Sequence, residues 1–129
     1  MKLKRYPLRK RSDERGWLIQ NDYPELADKI KHFILSFTRV GGIRGNHYHK
    51  LKREWFCIVK GEAELSLFNI QTKEKYETKL SGKNPELVEM EPNVVHTLRN
   101  IGTEDLMFFE IIDVPFDEKN PDTYVYKLV

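Results

Sequence analysis

Short segments rich in β-branched and aromatic residues alternate with glycine and proline turns along most of this chain. Segments of this composition fit a pleated, half-buried surface, and about eight of them at this spacing are typical of an all-β sandwich or jelly roll. A helix is predicted only at 24–31. The predicted strands are 33–39, 54–60, 62–69, 74–80, 86–90, 95–99, 105–112 and 123–128.

The length of 129 residues suits one domain, predicted to span 1–129, with a single hydrophobic core. The longest unbroken apolar run is 55–59, far short of the roughly 20 residues of a membrane-spanning helix. No signal peptide is recognised, and a single cysteine, Cys57, excludes an internal disulfide. These features predict a cytoplasmic protein without membrane contact.

Positive charge is concentrated at the start of the chain, although the formal net charge is only +2. The remainder is charge-balanced, which argues against a nucleic-acid surface. We interpret the basic start as a solvated strand and loop whose side chains could attract phosphates of a small ligand. Its basic residues are Lys2, Lys4, Arg5, Arg9, Lys10 and Arg11.

Two predicted strands, 55–59 and 106–112, are apolar on both faces. An antiparallel strand with one wet face should alternate apolar and polar residues. A second sheet can cover one face, and a partner subunit could cover the other. The sequence therefore predicts a homodimer.

Three of the four histidines and one glutamate form a candidate metal site. His47 and His49 share one strand face about 6.6 Å apart, from which two imidazoles can reach one ion. Glu54 follows a polar connection, 50–53, interpreted as a hairpin turn that returns it on the neighbouring strand. His96 begins a later strand. Three imidazoles and a carboxylate suit a divalent transition metal, whereas any single histidine would be read as a surface residue.

These intervals resemble the two sequence motifs of the cupin family. The second motif resembles Pro92, His96 and Asn100, with Asn93 where cupins usually carry glycine. Asparagine also tolerates the left-handed conformation that such a turn requires. The resemblance implies an all-β cupin double-stranded β-helix, a jelly-roll barrel. The first motif resembles the series Gly41, His47, His49, Glu54 and Gly61.

Three further stretches resemble cupins that act on nucleotide sugars. Residues 13–18 (DERGWL) and 44–47 (RGNH) are similar to the dTDP-4-dehydrorhamnose 3,5-epimerase family, and the 3,4-ketoisomerases share R-G-x-H-x-H but usually carry glutamine at Glu54. Residues 116–123 (FDEKNPDT) resemble the end of the C-terminal cupin domain of bifunctional capsular polysaccharide enzymes that epimerise and then reduce a UDP-amino sugar. Zinc is the metal this resemblance implies, with nickel, manganese or iron as alternatives.

The implied activity is isomerisation of a nucleotide-linked 4-keto-6-deoxy sugar in surface polysaccharide biosynthesis. The resemblance assigns His47, His49 and Arg44 to catalysis and Arg15, Arg44 and Asn46 to substrate binding. If both histidines bind metal, the general base must lie elsewhere. Cys57 is interpreted as a packing residue and His32 as a surface residue. The candidates for the base, unranked, are Tyr48, Lys52, Asp113, Tyr124 and Tyr126.

Two other functions stay open at this point, because one fold hosts many activities. The same four side chains could hold iron or manganese in a dioxygenase-like oxidoreductase, which would consume oxygen. A non-catalytic module would bind a nucleotide sugar or metabolite without exchanging a proton.

Overall fold

The computed structural model describes residues 1–129, and its regular secondary structure is almost entirely antiparallel strand. The elements are β1 (Arg5–Pro7), β2 (Lys10–Asp13), β3 (Gly16–Ile19), α1 (Pro24–Ala27), β4 (His32–Thr38), β5 (Ile43–Tyr48), β6 (Glu54–Lys60), β7 (Glu62–Asn69), β8 (Lys75–Ser81), β9 (Glu86–Met90), β10 (Val94–Asn100), β11 (Leu106–Ile112) and β12 (Tyr124–Val125).

Two five-stranded sheets form the body of the protein. One has the strand order β1-β9-β6-β11-β4 and the other β12-β5-β10-β7-β8, while β2 and β3 pair only with each other. The main core lies between the two sheets, because each sheet turns one row of apolar side chains inward. This core comprises Phe56, Ile58, Ala63, Leu65, Leu67, Leu80, Val88, Met90, Val94, Leu98, Leu106 and Phe108.

A second apolar cluster covers the outer face of the first sheet. Leu8 and Leu26, from the segment around the β2–β3 hairpin and α1, pack on Trp55, Cys57 and Ile111. The chain itself therefore buries the second face of β6 and much of that of β11. The sequence-based explanation, in which a partner subunit covers that face, is wrong for these residues.

The prediction of an all-β chain is confirmed, and each of the eight predicted strands has a counterpart. The helix predicted at 24–31 covers only Pro24–Ala27, because Tyr23 provides no side-chain cap and only Leu26 is buried. The strand predicted at 123–128 is limited to Tyr124–Val125. The short α1 is the only helix, and no helix is long and apolar enough to span a membrane.

Candidate metal centre and active site

The three histidines predicted to bind metal meet on adjacent strands of one sheet. β10 runs antiparallel to β5, and His96 is the register partner of His47. The ring centroids of His47 and His49 are 5.0 Å apart, and each is within 5.3 Å of the ring of His96. One potential ligand atom from each ring lies within 4.8 Å of the others, so these three residues could hold one ion.

Glu54 reaches this cluster from the opposite sheet. The 50–53 connection leads from β5 in one sheet to β6 in the other, so Glu54 is not on the neighbouring strand as predicted. It still faces the shared interior, with Oε1 3.1 Å from Nε2 of His49 and Oε2 3.4 Å from Nε2 of His96. The four side chains thus converge, although through a crossing between sheets rather than a hairpin.

Hydrogen bonds on the far side of two rings determine which nitrogen faces Glu54. Nδ1 of His49 lies 2.7 Å from the carbonyl oxygen of Asp122, which can only accept, so Nδ1 carries the proton. His96 has the same arrangement, with Nδ1 3.3 Å from the carbonyl oxygen of Val94. In the neutral rings, both Nε2 atoms then present lone pairs to Glu54.

Three buried atoms of this cluster lack a hydrogen-bond partner: Nε2 of His49, Nε2 of His96 and Oε2 of Glu54. Buried polar atoms are normally paired, because desolvation without a partner is costly. Two nitrogen lone pairs and a carboxylate directed at one point form an electron-rich pocket that a cation would satisfy. The donor set therefore fits a divalent metal.

The electrostatics favour the protonation states that metal binding needs. Burial lowers the pKa of His96 to about 4. Burial and the neighbouring His49 also lower the pKa of His47. Burial raises the pKa of Glu54, but when the two adjacent rings are protonated, a hydrogen bond from His49 and the positive charges of His96 and His49 more than offset it and leave this pKa below its usual value. Neutral imidazoles and an ionised carboxylate are the ligand forms of these groups.

Two left-handed residues shape the backbone around the cluster. Gly45 has φ +95°, and an added Cβ would collide with the carbonyl oxygen of His96, so only glycine allows β5 and β10 to approach here. Asn93 has φ +66°, and its N–H donates to the carbonyl oxygen of His49 at 2.7 Å. The prediction that asparagine can replace glycine in this turn is confirmed.

A cavity of about 230 Å³ opens beside the histidines, between the two sheets. Arg44 lies in its wall and is held by β4, where Nε donates to Oγ1 of Thr38 and Nη2 to the carbonyl oxygen of Phe37. The histidine at the cavity is His47, so a ligand there would lie between a guanidinium and the cluster. The wall is formed by Ile34, Ser36, Arg44, Gly45, His47, Phe56, Leu98, Phe108 and Glu110.

The sequence analysis did not identify Glu110 as a site residue. Its strand, LMFFEII, is otherwise apolar, and a lone carboxyl in such a strand is the signal that could have identified it. Burial, followed by the charge of Glu54, raises the pKa of Glu110 above its ordinary value. The carboxyl group of Glu110 in the cavity wall therefore stays protonated to a higher pH than an ordinary glutamate.

Two predicted substrate-binding residues lie away from this cavity. Arg15, in the β2–β3 hairpin, pairs through Nη2 with Asp13 at 2.6 Å and is largely exposed. Asn46 points to the other face of β5, where its Oδ1 accepts from the amides of Leu128 and Val129. Of the three residues predicted to contact substrate, only Arg44 lies at the cavity within this chain.

The candidate bases predicted from the sequence lie in different parts of the structure. Tyr48 stacks on Tyr124 with centroids 5.4 Å apart, on the strand face opposite the histidines, as strand parity predicts. Tyr126 packs on Phe68, and Asp113 accepts a hydrogen bond from the Arg53 amide. Lys52 is half-buried, and its charge lowers the pKa of both Glu54 and His47. Cys57 is buried, and the ring of His32 lies against Phe116 in a tilted arrangement with centroids 5.6 Å apart.

Comparison with known proteins shows the family. The model of the polysaccharide biosynthesis C-terminal domain matches residues 11–124. The chain belongs to this family. The chain is also 35% identical over 119 residues to a UDP-2-acetamido-2,6-beta-L-arabino-hexul-4-ose reductase of Pseudomonas aeruginosa, covering 92% of this chain and 31% of the relative.

Solved structures agree with this assignment. The capsular polysaccharide assembling protein CapF of Staphylococcus aureus is 27% identical with a TM-score of 0.73, covering 95% of this chain and 33% of that protein. A dTDP sugar isomerase of Desulfovibrio desulfuricans, 15% identical, has a TM-score of 0.83 over 95% of this chain and 82% of its own, which shows the shared fold. The predicted cupin barrel is confirmed, and this family domain spans about a third of its longer relatives.

Proposed function

We propose that this chain is a metal-containing isomerase domain that moves a proton next to the ketone of a nucleotide-linked 4-keto sugar in polysaccharide biosynthesis. The observation that carries the proposal is the juxtaposition of the cavity, walled by Arg44, His47 and Glu110, with the cluster of buried, unpartnered metal-binding atoms. A ketone in this cavity would lie beside a candidate cation site, a guanidinium and a carboxyl group. Proton transfer next to a carbonyl is promoted by a base and by positive groups that stabilise the oxyanion.

His47, His49, Glu54 and His96 are the proposed metal ligands, and zinc is the proposed ion, because nitrogen-rich sites with one carboxylate suit it. When bound, the ion would supply Lewis-acid stabilisation of negative charge on the keto oxygen. The chain's own contribution is to hold the four side chains in the required protonation states. It also keeps water from His49 and His96, which are almost fully buried.

The proposed reaction breaks the C3–H bond of the sugar. The electron pair moves towards the keto oxygen and the proton goes to a base in the cavity wall. Return of a proton to the opposite face inverts C3, whereas its return to another atom moves the ketone. Because His47 is a proposed metal ligand, Glu110 is the wall residue proposed to exchange the proton, and Arg44 can bind a phosphate or the sugar through its planar guanidinium.

The proposed substrate class follows from the relatives. The relative from Pseudomonas aeruginosa is named for a UDP-linked hexul-4-ose, and CapF for capsular polysaccharide assembly. A UDP-linked 4-keto sugar is therefore the first substrate to test, with dTDP-linked sugars second. We place this activity in the cytoplasm, because the single cysteine, Cys57, offers no internal disulfide that would indicate an oxidising compartment.

Deuterium incorporation from heavy water tests the function directly. Purified protein is mixed with UDP- and dTDP-linked 4-keto-6-deoxy sugars, and C3 and C5 are followed by NMR. Exchange at C3 alone is expected for a 3-epimerase or 3,4-ketoisomerase, whereas exchange at both carbons would identify a 3,5-epimerase. Glu110→Gln and Arg44→Ala should reduce exchange. His32→Ala should not, because the His32 ring packs against Phe116 away from the cavity.

Absence of exchange with every sugar, in protein shown to contain metal, would overturn the isomerase proposal. Binding of a nucleotide sugar without exchange would then identify a non-catalytic module. Oxygen uptake with a small substrate and bound iron would identify a dioxygenase-like cupin instead.

We also propose that the domain is a homodimer that associates through β4. This edge strand exposes Phe33, Leu35 and Phe37 on one face, at 73%, 56% and 55% of their surface. Edge strands with an apolar row favour pairing with a second copy about a two-fold axis. Leu35→Lys should yield a monomer in sedimentation, whereas Leu51→Lys, at a more exposed leucine outside β4, should not. A wild-type monomer at micromolar concentration would contradict the proposal.

A further inference from the structure

Asp122 connects the C-terminal segment to the 50–53 connection, which links His49 to Glu54. Its carbonyl oxygen lies 2.7 Å from Nδ1 of His49. Its carboxylate accepts hydrogen bonds from three consecutive amides, those of Lys50 at 3.0 Å and of Leu51 and Lys52 at 2.9 Å each. One residue thus fixes both the ring of His49 and the backbone that follows it.

We propose that Asp122 is a positioning residue of the metal centre, which holds His49 in the tautomer and orientation that direct its Nε2 at Glu54. The inference rests on the proposed metal site and concerns how that site is built. Residues that orient a ligand histidine through its second nitrogen commonly affect metal affinity about 10–100-fold when changed.

The backbone of Asp122 shows that the carboxylate and the carbonyl act together. Asp122 has φ +52°, a left-handed conformation, and is 9% exposed. A left-handed non-glycine residue persists when its surroundings fix it, and the three amide hydrogen bonds do so here. Loss of the carboxylate would release the peptide whose oxygen accepts from His49.

The consequence for His49 is chemical as well as geometric. With Nδ1–H held by the Asp122 carbonyl, Nε2 has a lone pair and faces Oε1 of Glu54 at 3.1 Å. In the other neutral tautomer, Nε2 would carry a proton towards Glu54 and could not bind a metal. Asp122 therefore favours the ligand form of the ring before any ion arrives.

A matched control exists on the same connection. Asp113 accepts a hydrogen bond from the amide of Arg53 at 2.9 Å through Oδ1 and makes no hydrogen bond to His49. If Asp122 only fixed the 50–53 connection, substitutions of Asp122 and Asp113 would have similar effects on His49 and on metal affinity. A positioning role predicts that only Asp122 variants change the state of His49.

The first measurement is the tautomer of His49 in the metal-free protein, read from long-range proton–nitrogen NMR correlations near pH 8. The wild type and Asp113→Asn should show the Nδ1–H tautomer. Asp122→Asn, which tolerates the left-handed backbone but offers one acceptor oxygen, should show a mixture. Asp122→Gly removes the carboxylate without backbone strain and serves if the asparagine variant does not fold.

The second measurement is cobalt and zinc affinity by competition with a chelator, together with the visible spectrum of the cobalt form. Asp122→Asn and Asp122→Gly should lose about 10–100-fold in affinity and alter the cobalt spectrum, while Asp113→Asn stays near the wild type. An Nε2–H tautomer in the wild type, or equal losses for Asp122 and Asp113 variants, would overturn the proposal. Because the tautomer is read without metal or substrate, a failure of the isomerase proposal leaves this test decisive.

Discussion

Nε2 of His49 lies 3.1 Å from Oε1 of Glu54, yet it has no hydrogen-bond partner. The ring donates its proton on the other side, to Asp122, so the nitrogen that faces the carboxylate is an acceptor facing an acceptor. Such a contact is unfavourable in a buried site unless a positive charge, either a metal ion or a proton, lies between the two atoms. This relationship leads directly to the prediction about metal binding.

Removal of two ligands should abolish metal-dependent stabilisation. A ligand that binds only the folded state stabilises it by about 2.7 kcal/mol when its free concentration is 100 times the Kd. Zinc at such a concentration should therefore raise the Tm of the wild type by several degrees. The double variant His47→Ala/His49→Ala should show no such rise in calorimetry and should contain no metal by elemental analysis. His32→Ala is the control and should keep the zinc-induced rise. Unchanged metal content in the double variant would contradict the four-residue site.

Local sequence signals predicted most of the fold, because strand pairing here follows apolar patterning. The exceptions are elements whose position depends on distant contacts. Strands β1 and β2 begin within the basic start of the chain, which was interpreted only as a solvated strand and loop, and the four-residue β3 follows it. The second face of β6 is covered by Leu8 and Leu26, and no local pattern could assign those residues to it.

The sequence predicted the parts of the site that depend on the spacing between residues. It did not predict which sheet carries a residue or towards which face its side chain points. His47, His49, Glu54 and His96 converge as their intervals imply, although Glu54 arrives from the opposite sheet. Asn46 follows Gly45, and both have positive φ, in a stretch where the β5–β10 register shifts. Adjacency to His47 in sequence therefore did not predict a place in the cavity.

The thiol of Cys57 should be unreactive in the folded protein. Cys57 has no exposed surface, and burial raises the pKa of its thiol to about 12. Because the reactive form is the thiolate, a disulfide reagent at pH 8 should modify this residue only in denaturant. Glu77→Cys, which adds a thiol at an exposed position of β8, should react at once at the new site. Rapid modification of the folded wild type would contradict the packing role of Cys57.

Gly45→Ala should destabilise the protein more than Gly41→Ala. Both glycines have positive φ, at +95° and +77°, so each substitution carries a backbone penalty of about 1–2 kcal/mol. Only at Gly45 would the new Cβ also collide with the carbonyl oxygen of His96, since the space at Gly41 is open. Urea unfolding of the metal-free proteins measures the difference, and zinc affinity should fall only for Gly45→Ala. Equal losses of stability would mean that the close approach of β5 and β10 is not required.

Asn46→Gly should loosen the C-terminal segment and leave substrate binding unchanged. Oδ1 of Asn46 accepts from Oγ1 of Thr97 and from the amides of Leu128 and Val129, and Nδ2 donates to the Val129 carbonyl oxygen. Glycine keeps the left-handed backbone at φ +54° but removes these bonds, at a cost of about 1–3 kcal/mol.

Hydrogen exchange at the Leu128 and Val129 amides should accelerate in Asn46→Gly, while the KM for a nucleotide sugar stays near that of the wild type. Thr97→Val is the control, because it removes one donor to Oδ1 and keeps both amide bonds of the segment. A large rise in KM without faster exchange would restore Asn46 as the substrate contact that the sequence predicted. Faster exchange with an unchanged KM would establish that its side chain anchors the end of the chain on the outer face of β5.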